Sequence, residues 1–283
     1  MSFPAERGLR ILHISDTHLF GDGSLHYGMV DTLAALDRVL ARASSLGAVD
    51  LVAVSGDLSD DGSAESYRLL AGRIAPWASE HGAAVVCAMG NHDLRDGFES
   101  VLGARETVVE VAGFRVVTVD TSVPGAGYGA VDAAALDRLR GVVDSPSAHG
   151  TVVVLHHPPI PAASALLTAL ELQNPSGVLE ACASGDVRLV LAGHYHHAMS
   201  SVAEGIPVVV APGTANSSDP IAAAGTERAT VGSGFAVIDL PLEGDPTVMF
   251  VAAPSAEDGT EIFDLDAAEV ERIAAAAGPK EPR

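Results

Sequence analysis

The sequence predicts a mixed α/β sandwich built around one principal domain. Three observations carry the prediction. Short apolar, β-rich runs recur along the 283 residues, each followed by Gly, Asp, Asn or His and then by a stretch of helical periodicity, the order expected when strands feed loops and loops feed helices. That alternation dominates the first two thirds, whereas strand patterns crowd the end, which fits mixed sheets better than a uniformly parallel one. No repeat with a period of about 20 to 50 residues divides the chain, nor does a Ser/Gly linker.

The strand-like runs are, in order, 10–15, 51–55, 84–89, 108–111, 114–120, 151–155, 187–192, 206–211, 234–240 and 247–252. Between them, residues 31–45 place Leu33, Leu36, Val39 and Leu40 on one helical face. Residues 63–81 do the same with Tyr67, Leu70, Ile74 and Trp77, and residues 131–143 with Leu136, Leu139 and Val143. From Pro254 the composition changes: Glu257, Asp258, Glu261, Asp264, Asp266, Glu269 and Glu271 crowd the tail, and 266–277 reads as one amphipathic helix before a Pro-rich end. The organisation expected is therefore a domain over 1–253 and an acidic extension over 254–283, packed on the surface or frayed.

Charge and composition exclude several functions. Acidic residues outnumber basic ones 37 to 16, and a net charge of -21 repels the phosphate backbone, so nucleic acid is not an expected partner. Cys87 and Cys182 stand far apart in apolar or small-residue surroundings, which suits reduced, buried thiols better than a disulfide framework. The apolar runs 152–155 and 206–211 are far shorter than the roughly 20 residues a bilayer crossing needs. Residues 1–10, with Glu6, Arg7 and Arg10, carry no export signal. A cytoplasmic protein without integral membrane contact is expected.

Five of the strand-like runs end in residues that bind metals: Asp16-Thr17-His18, Gly56-Asp57, Gly90-Asn91-His92-Asp93, His156-His157 and Gly193-His194-Tyr195-His196. Loops leaving the carboxyl ends of strands in an open α/β sheet converge on one edge, so clusters remote in sequence can meet. Carboxylate, imidazole and amide oxygen form a mixed set suited to Mn, Fe or Zn rather than Ca. Asp16, His18, Asp57, Asn91, His156, His194 and His196 exceed what one ion needs and suffice for two, with Asp57 as the shared carboxylate. Two such ions clamp a phosphoryl group and generate hydroxide at neutral pH, which makes phosphoester hydrolysis the expected chemistry. His13, His26, His81 and His149 are read as core or surface residues, and His157 and His197 as non-ligating neighbours. Asp60 and Asp93 are split between orienting a catalytic histidine and capping or turn hydrogen bonds.

The chain resembles the calcineurin-like metallophosphoesterase superfamily over residues 10–240. The resemblance rests on His13 to Leu19 (HISDTHL), Ser55 to Leu58 (SGDL), Met89 to Asp93 (MGNHD), Leu155 to Pro159 (LHHPP) and Ala192 to His196 (AGHYH). Within it, Asp120 to Gly125 (DTSVPG) and His156 to Pro161 (HHPPIP) look like the class III bacterial cyclic nucleotide phosphodiesterases of actinobacterial type. The resemblance implies a four-layered α/β/β/α sandwich with mixed sheets. It implies one metal held by Asp16, His18, Asp57 and His196 and a second by Asp57, Asn91, His156 and His194, as Mn and/or Fe, with Zn possible. Asn91 and His92 would meet the substrate, with His92 off the metals, bonding a phosphoryl oxygen and protonating the leaving alkoxide while Asp60 or Asp93 holds its tautomer. The implied activity is attack by metal-bound hydroxide on a 3′,5′-cyclic nucleotide, cAMP or cGMP, giving the nucleoside 5′-monophosphate. A homodimer is implied as well.

One departure selects among branches. Phosphoprotein phosphatases of this superfamily carry Gly-Asp-x-x-Asp-Arg-Gly, whereas residues 56–62 read GDLSDDG, with Asp61 where the phosphate-gripping arginine would stand. A broader phosphodiesterase acting on 2′,3′-cyclic nucleotides or glycerophosphodiesters is the alternative, because a metal clamp recognises the diester more than its substituents. A non-catalytic scaffold is the remote one, disfavoured by the filled ligand positions and by His92. Loops 21–28, 124–130 and 212–218 are, by position, the candidates to line base and ribose.

Overall fold

A computed structural model of the chain describes residues 8–280; the 1–7 segment read above for export signals, and the last three residues, lie outside it. The first half runs β1 (Leu9–Ile14), α1 (Thr32–Ala43), β2 (Leu51–Ser55), α2 (Ala64–His81), β3 (Ala84–Ala88), α3 (Arg95–Leu102), β4 (Val108–Val111), β5 (Phe114–Thr118) and α4 (Ala133–Val143). There follow β6 (Thr151–Val154), α5 (Ala165–Ala169), α6 (Pro175–Ala183), β7 (Val187–Ala192), β8 (Met199–Ala203) and β9 (Ile206–Val210). The chain closes with β10 (Ser217–Ser218), β11 (Glu227–Thr230), β12 (Gly234–Leu240), β13 (Thr247–Ala252), β14 (Glu261–Leu265) and α7 (Ala267–Ala277).

Two mixed sheets dominate. One has the order β13-β12-β1-β2-β3 and the other β4-β5-β6-β7-β9-β8. In the first, β1, β2 and β3 are parallel while β12 and β13 add antiparallel; in the second, β5, β6, β7 and β9 are parallel, with antiparallel β4 and β8 at the edges.

Three apolar clusters define the layers. Leu9, Ile11, Leu51 and Ala53 from one sheet meet Val116, Val152, Leu189 and Leu191 from the other. The opposite face of the first sheet, with Leu12, Ile14, Val52 and Val54, buries Leu36, Val39, Tyr67, Leu70 and Ile74 of α1 and α2. The outer face of the second sheet, with Val153, Val190 and Val208, buries Leu136, Leu139 and Val178 of α4 and α6. The α/β/β/α sandwich expected from the sequence is the fold observed. Because successive side chains alternate faces and both faces are covered, the inner strands read as continuous apolar runs.

The helices begin where the sequence offers oxygen acceptors: Asp31, Ser63 and Asp132 each accept an amide of the first turn, and Asp266 with Glu269 closes a reciprocal capping box. Several elements carried no readable pattern. Helix α3 buries Phe98 and packs half-buried Val101 and Leu102 beside it, a stripe two turns long that is too short to stand out in the sequence. Strand β8, MSSVA, is mostly exposed and exists because it pairs with β9 along the sheet edge. The tail is tied down: β14 pairs with β11, which with β10 forms a three-stranded antiparallel sheet, and Gly127 N donates to the carbonyl of Ala277 at the end of α7.

Candidate metal centre

The carboxyl ends of β1, β2, β3, β6 and β7 open on one edge of the sandwich, where backbone bonds splice their loops together. Asp16 N donates to Gly56 O (3.1 Å), His18 N to Asp57 O (2.9 Å), Gly193 N to His156 O (3.0 Å) and Ala215 N to Asp16 O (3.0 Å). These turns are sharp. Eight described non-glycine residues have positive φ, and five are candidate ligands: Asp16 (54°), His18 (43°), Asp57 (48°), His194 (71°) and His196 (53°). Left-handed backbone is disfavoured for any residue with a Cβ, so its concentration here marks a site whose side chains are aimed at the expense of local stability.

The aim is convergent. Asp57 Oδ2 lies 3.7 Å from His18 Nε2 and 3.3 Å from His156 Nε2, while its Oδ1 accepts the His92 amide at 2.8 Å. One carboxylate oxygen thus stands between two imidazoles from different sheets. Asp16 Oδ1 is 3.3 Å from His196 Nε2, which is 3.2 Å from His18 Nε2. Ligand atoms of Asp16, His18 and His196 lie within 4.8 Å of one another, as do those of Asp16, Asp57 and His156. His194 joins His156 and His157 in a further such group.

The ring tautomers follow from the outer contacts. His18 Nδ1 donates to Asp60 Oδ1 (2.9 Å), His156 Nδ1 to Ser55 O (2.8 Å) and His194 Nε2 to Leu170 O (3.0 Å). Each bond spends one N–H outward and leaves the other nitrogen with a bare lone pair, the arrangement that orients imidazole ligands. His18 Nε2, left bare by the bond to Asp60, points at His196 Nε2, and a cation between the two rings satisfies both. Asn91 Oδ1 is buried without a hydrogen-bond partner, another acceptor that a cation satisfies. The donor set fits metal binding.

Electrostatics agree. Burial raises the pKa of Asp16, yet His196 and His156 outweigh it and hold the group below the usual carboxylate range; Asp57 is held down in the same way by His156 and His92. Burial lowers His156, but Asp57 carries it up to about 9. Two ionised carboxylates buried at one point must be matched by positive charge.

His92 stands at the rim with 43% of its side chain exposed, and its Nδ1 lies 3.1 Å from Asp60 Oδ1, the same oxygen that holds His18. Asp93 faces elsewhere. Its oxygens accept from Leu58 N (3.1 Å), Ser59 N (3.0 Å) and Gly90 N (2.8 Å), bracing the Gly56-Asp57 loop against the Asn91 loop. Asp60 is therefore the carboxylate on the His92 ring.

Two glycines make room for these approaches. A Cβ on Gly90 would lie 2.2 Å from Asp57 Oδ1, and one on Gly193 would lie 1.8 Å from Ser15 Oγ and 2.8 Å from Asp16 Oδ2.

Among the histidines read as bystanders, His13 is buried against Ser55 Oγ (2.8 Å), His81 stacks on Trp77, and His149 packs beside Phe114. His157 spends both ring nitrogens on Thr121 Oγ1 (2.8 Å) and Gly127 O (3.3 Å). His197 is buried and stacks on Tyr195. His26 does more than the sequence suggested, lying buried and stacked on His18 with 4.7 Å between ring centroids. The carbonyls of Ser55 and Leu170 were invisible in sequence because every residue carries one.

The sequence profile of the calcineurin-like phosphoesterases matches residues 9–198. A probable cyclic nucleotide phosphodiesterase of Rhodococcus erythropolis is 36% identical over 95% of this chain and 91% of its own length. A cAMP/cGMP dual specificity phosphodiesterase of Mycobacterium tuberculosis is 36% identical over 79% of this chain and 73% of its own. Among solved structures, a dimetal phosphatase from Danio rerio superposes with a TM-score of 0.62 at 16% identity, covering 92% of this chain and 99% of that one, a likeness of fold. With its profile match spanning two thirds of the sequence and a relative this similar along nearly its whole length, the chain belongs to the calcineurin-like phosphoesterase family.

Proposed function

We propose that this phosphoesterase hydrolyses 3′,5′-cyclic nucleotides to nucleoside 5′-monophosphates at a two-metal centre. The observation that carries the metal count is Asp57 Oδ2 standing between His18 and His156, a single anionic oxygen available to two cations. The substrate reading is supported by the names of relatives at 36% identity. Asp16, His18, Asp57 and His196 would hold one ion, and Asp57, Asn91, His156 and His194 the other, as manganese or iron, with zinc possible. Bound there, the cations supply Lewis-acid charge for the phosphoryl oxygens and acidify water so that a nucleophile exists at neutral pH.

The chain's own residues do the rest. His92, off the metals and anchored through Nδ1 by Asp60, offers Nε2 to the phosphoryl group. As water adds to phosphorus and the P–O3′ bond breaks, His92 gives its proton to the departing 3′ oxygen. Asp60 fixes the ring's orientation, Asp93 locks the loop that carries Asn91 and His92, and Asn91 keeps its amide beside the phosphoryl oxygens. The buried, uncrosslinked Cys182 and half-buried Cys87 support a reducing, cytoplasmic setting. No helix among the described residues is long and apolar enough to cross a membrane. We take residues 1–253 as the catalytic unit, 254–283 as its acidic extension, and the working form as a homodimer, to be checked by light scattering.

The test strips the protein with a chelator and restores manganese, then measures metal content and kcat/KM on cAMP, cGMP, 2′,3′-cyclic AMP, a glycerophosphodiester and bis(4-nitrophenyl) phosphate. Activity on 3′,5′-cyclic nucleotides that vanishes and returns with about two ions per chain is the expected result. A glycerophosphodiester preferred far above cAMP would overturn the substrate reading.

A further inference from the structure

The geometry points to Arg95 as the residue that discriminates the purine of the substrate, in a groove that opens beside the metal centre; the inference deepens the cyclic nucleotide reading and rests on it. The groove, of about 370 Å³, is lined by Asn91, Leu94, Arg95, Ser122, Val123 and Pro124 among others, so it begins at a candidate metal ligand and runs outward. Its volume falls within the roughly 300 to 1,000 Å³ of small-molecule sites. Of the three loops the sequence offered for base and ribose, the one starting at Pro124 thus shares a continuous wall with Asn91.

The walls suit a flat, mostly apolar ring with polar edges. Leu94 is 56% exposed, and its backbone is pinned by the hydroxyl of buried Tyr67, to which Leu94 N donates at 2.9 Å. Val123 and Pro124 add further apolar surface to the lining.

Arg95 is weakly held, its partner being Asp120. It opens helix α3, where a cation opposes the helix dipole, whereas its neighbour Asp96 is what the dipole favours. Its contact with Asp120 is long, 3.4 Å, and Asp120 is already occupied: one oxygen takes Arg105, the other takes both Ser122 N (2.9 Å) and Ser122 Oγ (2.6 Å). With 43% of its side chain exposed, Arg95 keeps its donors for another acceptor. In a chain with 16 basic residues against 37 acidic ones, a guanidinium on the wall of this groove with most of its donors unengaged is a specific resource.

A guanidinium meets guanine through O6 and N7 together, and adenine through N7 alone. Arg95 therefore grips cGMP by two bonds and cAMP by one, while bis(4-nitrophenyl) phosphate has no such edge. The contact lies away from the scissile bond and is made equally in ground and transition states, so its loss appears in KM more than in kcat.

The experiment compares Arg95→Ala and Arg95→Lys with the parent in the manganese-loaded full chain. The expected result for Arg95→Ala is a fall of about tenfold in kcat/KM for cGMP relative to bis(4-nitrophenyl) phosphate, a smaller fall for cAMP, and a raised KM. Arg95→Lys, which keeps the charge without the preorganised planar fork, narrows the cGMP-over-cAMP difference. An unchanged ratio overturns the inference, as does an equal fall on all three substrates, which would put Arg95 on the phosphoryl group. So does a purine effect that appears instead in Tyr27→Ala, on the 21–28 loop. A parent enzyme inactive on cyclic nucleotides but active on the nitrophenyl diester refutes the substrate reading itself, and that result is read before any variant is made.

Discussion

Gly90→Ala adds one methyl group where the Asn91 loop packs directly on Asp57. The new Cβ would stand 2.2 Å from Asp57 Oδ1, 2.4 Å from Asp57 N and 2.8 Å from Asp57 Cγ. Ordinary non-bonded contacts are at about 3.5 Å, so the two loops must part by about 1 Å. The atoms met are backbone and the base of a carboxylate, which cannot swing aside. Asp57 Oδ1 is tied to His92 N and Oδ2 faces His18 and His156, so any shift moves the proposed shared oxygen and the proposed catalytic histidine together. Overpacking of this kind costs about 1–3 kcal/mol of stability. A displacement near 1 Å at reacting groups costs on the order of 100-fold in rate. The control is Gly72→Ala on the exposed face of helix α2, where a Cβ meets nothing within 4 Å. That change should raise stability by up to about 1 kcal/mol and leave turnover intact. The assays are urea unfolding and turnover of bis(4-nitrophenyl) phosphate in manganese. Parental turnover in Gly90→Ala would refute the argument that the close approach of these loops sets the geometry.

Other changes separate the roles assigned above. Asp57→Asn, which asparagine's tolerance of left-handed backbone makes a mild change at φ 48°, should strip both ions, whereas Asn91→Ala should lose mainly one; two ions per chain in the Asp57 variant, by elemental analysis, would contradict a shared ligand. His92→Ala should retain both metals and lose turnover by about 10²–10⁴-fold; unchanged turnover removes His92 from the chemistry. His13, buried between the sheets, has its pKa lowered by burial to about 3, so it folds neutral and binds its proton more readily unfolded. Its contribution to stability is whole above the unfolded value near 6.5 and declines as pH falls from there towards about 3. In chelator, His13→Gln should therefore lose less of its melting midpoint between pH 7 and 4 than the parent; parallel curves would show that His13 does not titrate in this way.

The legible part of the fold was the part with periodic apolar sequence. The runs at 10–15, 51–55, 151–155 and 187–192 were read within a residue or two of β1, β2, β6 and β7, since strands covered on both faces need apolar side chains at nearly every position. The strand Glu261–Leu265 was not, because two of its five residues are acidic and exposed and only its pairing with β11 makes it a strand. Helix α5, five residues long with Leu166 and Leu167 buried, is too short to show a period, yet it leads to the Leu170 carbonyl that orients His194.

By itself the sequence determined the chemistry of this protein: which residues could bind cations, that they end successive strands, and that the chain as a whole is acidic. These are properties of residue type and order, and need no coordinates. Only the tertiary structure decided which oxygen of Asp57 stands between two imidazoles, that Asp60 rather than Asp93 holds the His92 ring, and that Arg95 lies on a groove with a long contact to Asp120. Each of those depends on distances across loops from different strands, set by how two twisted sheets pack, and neighbours along the chain carry no record of them.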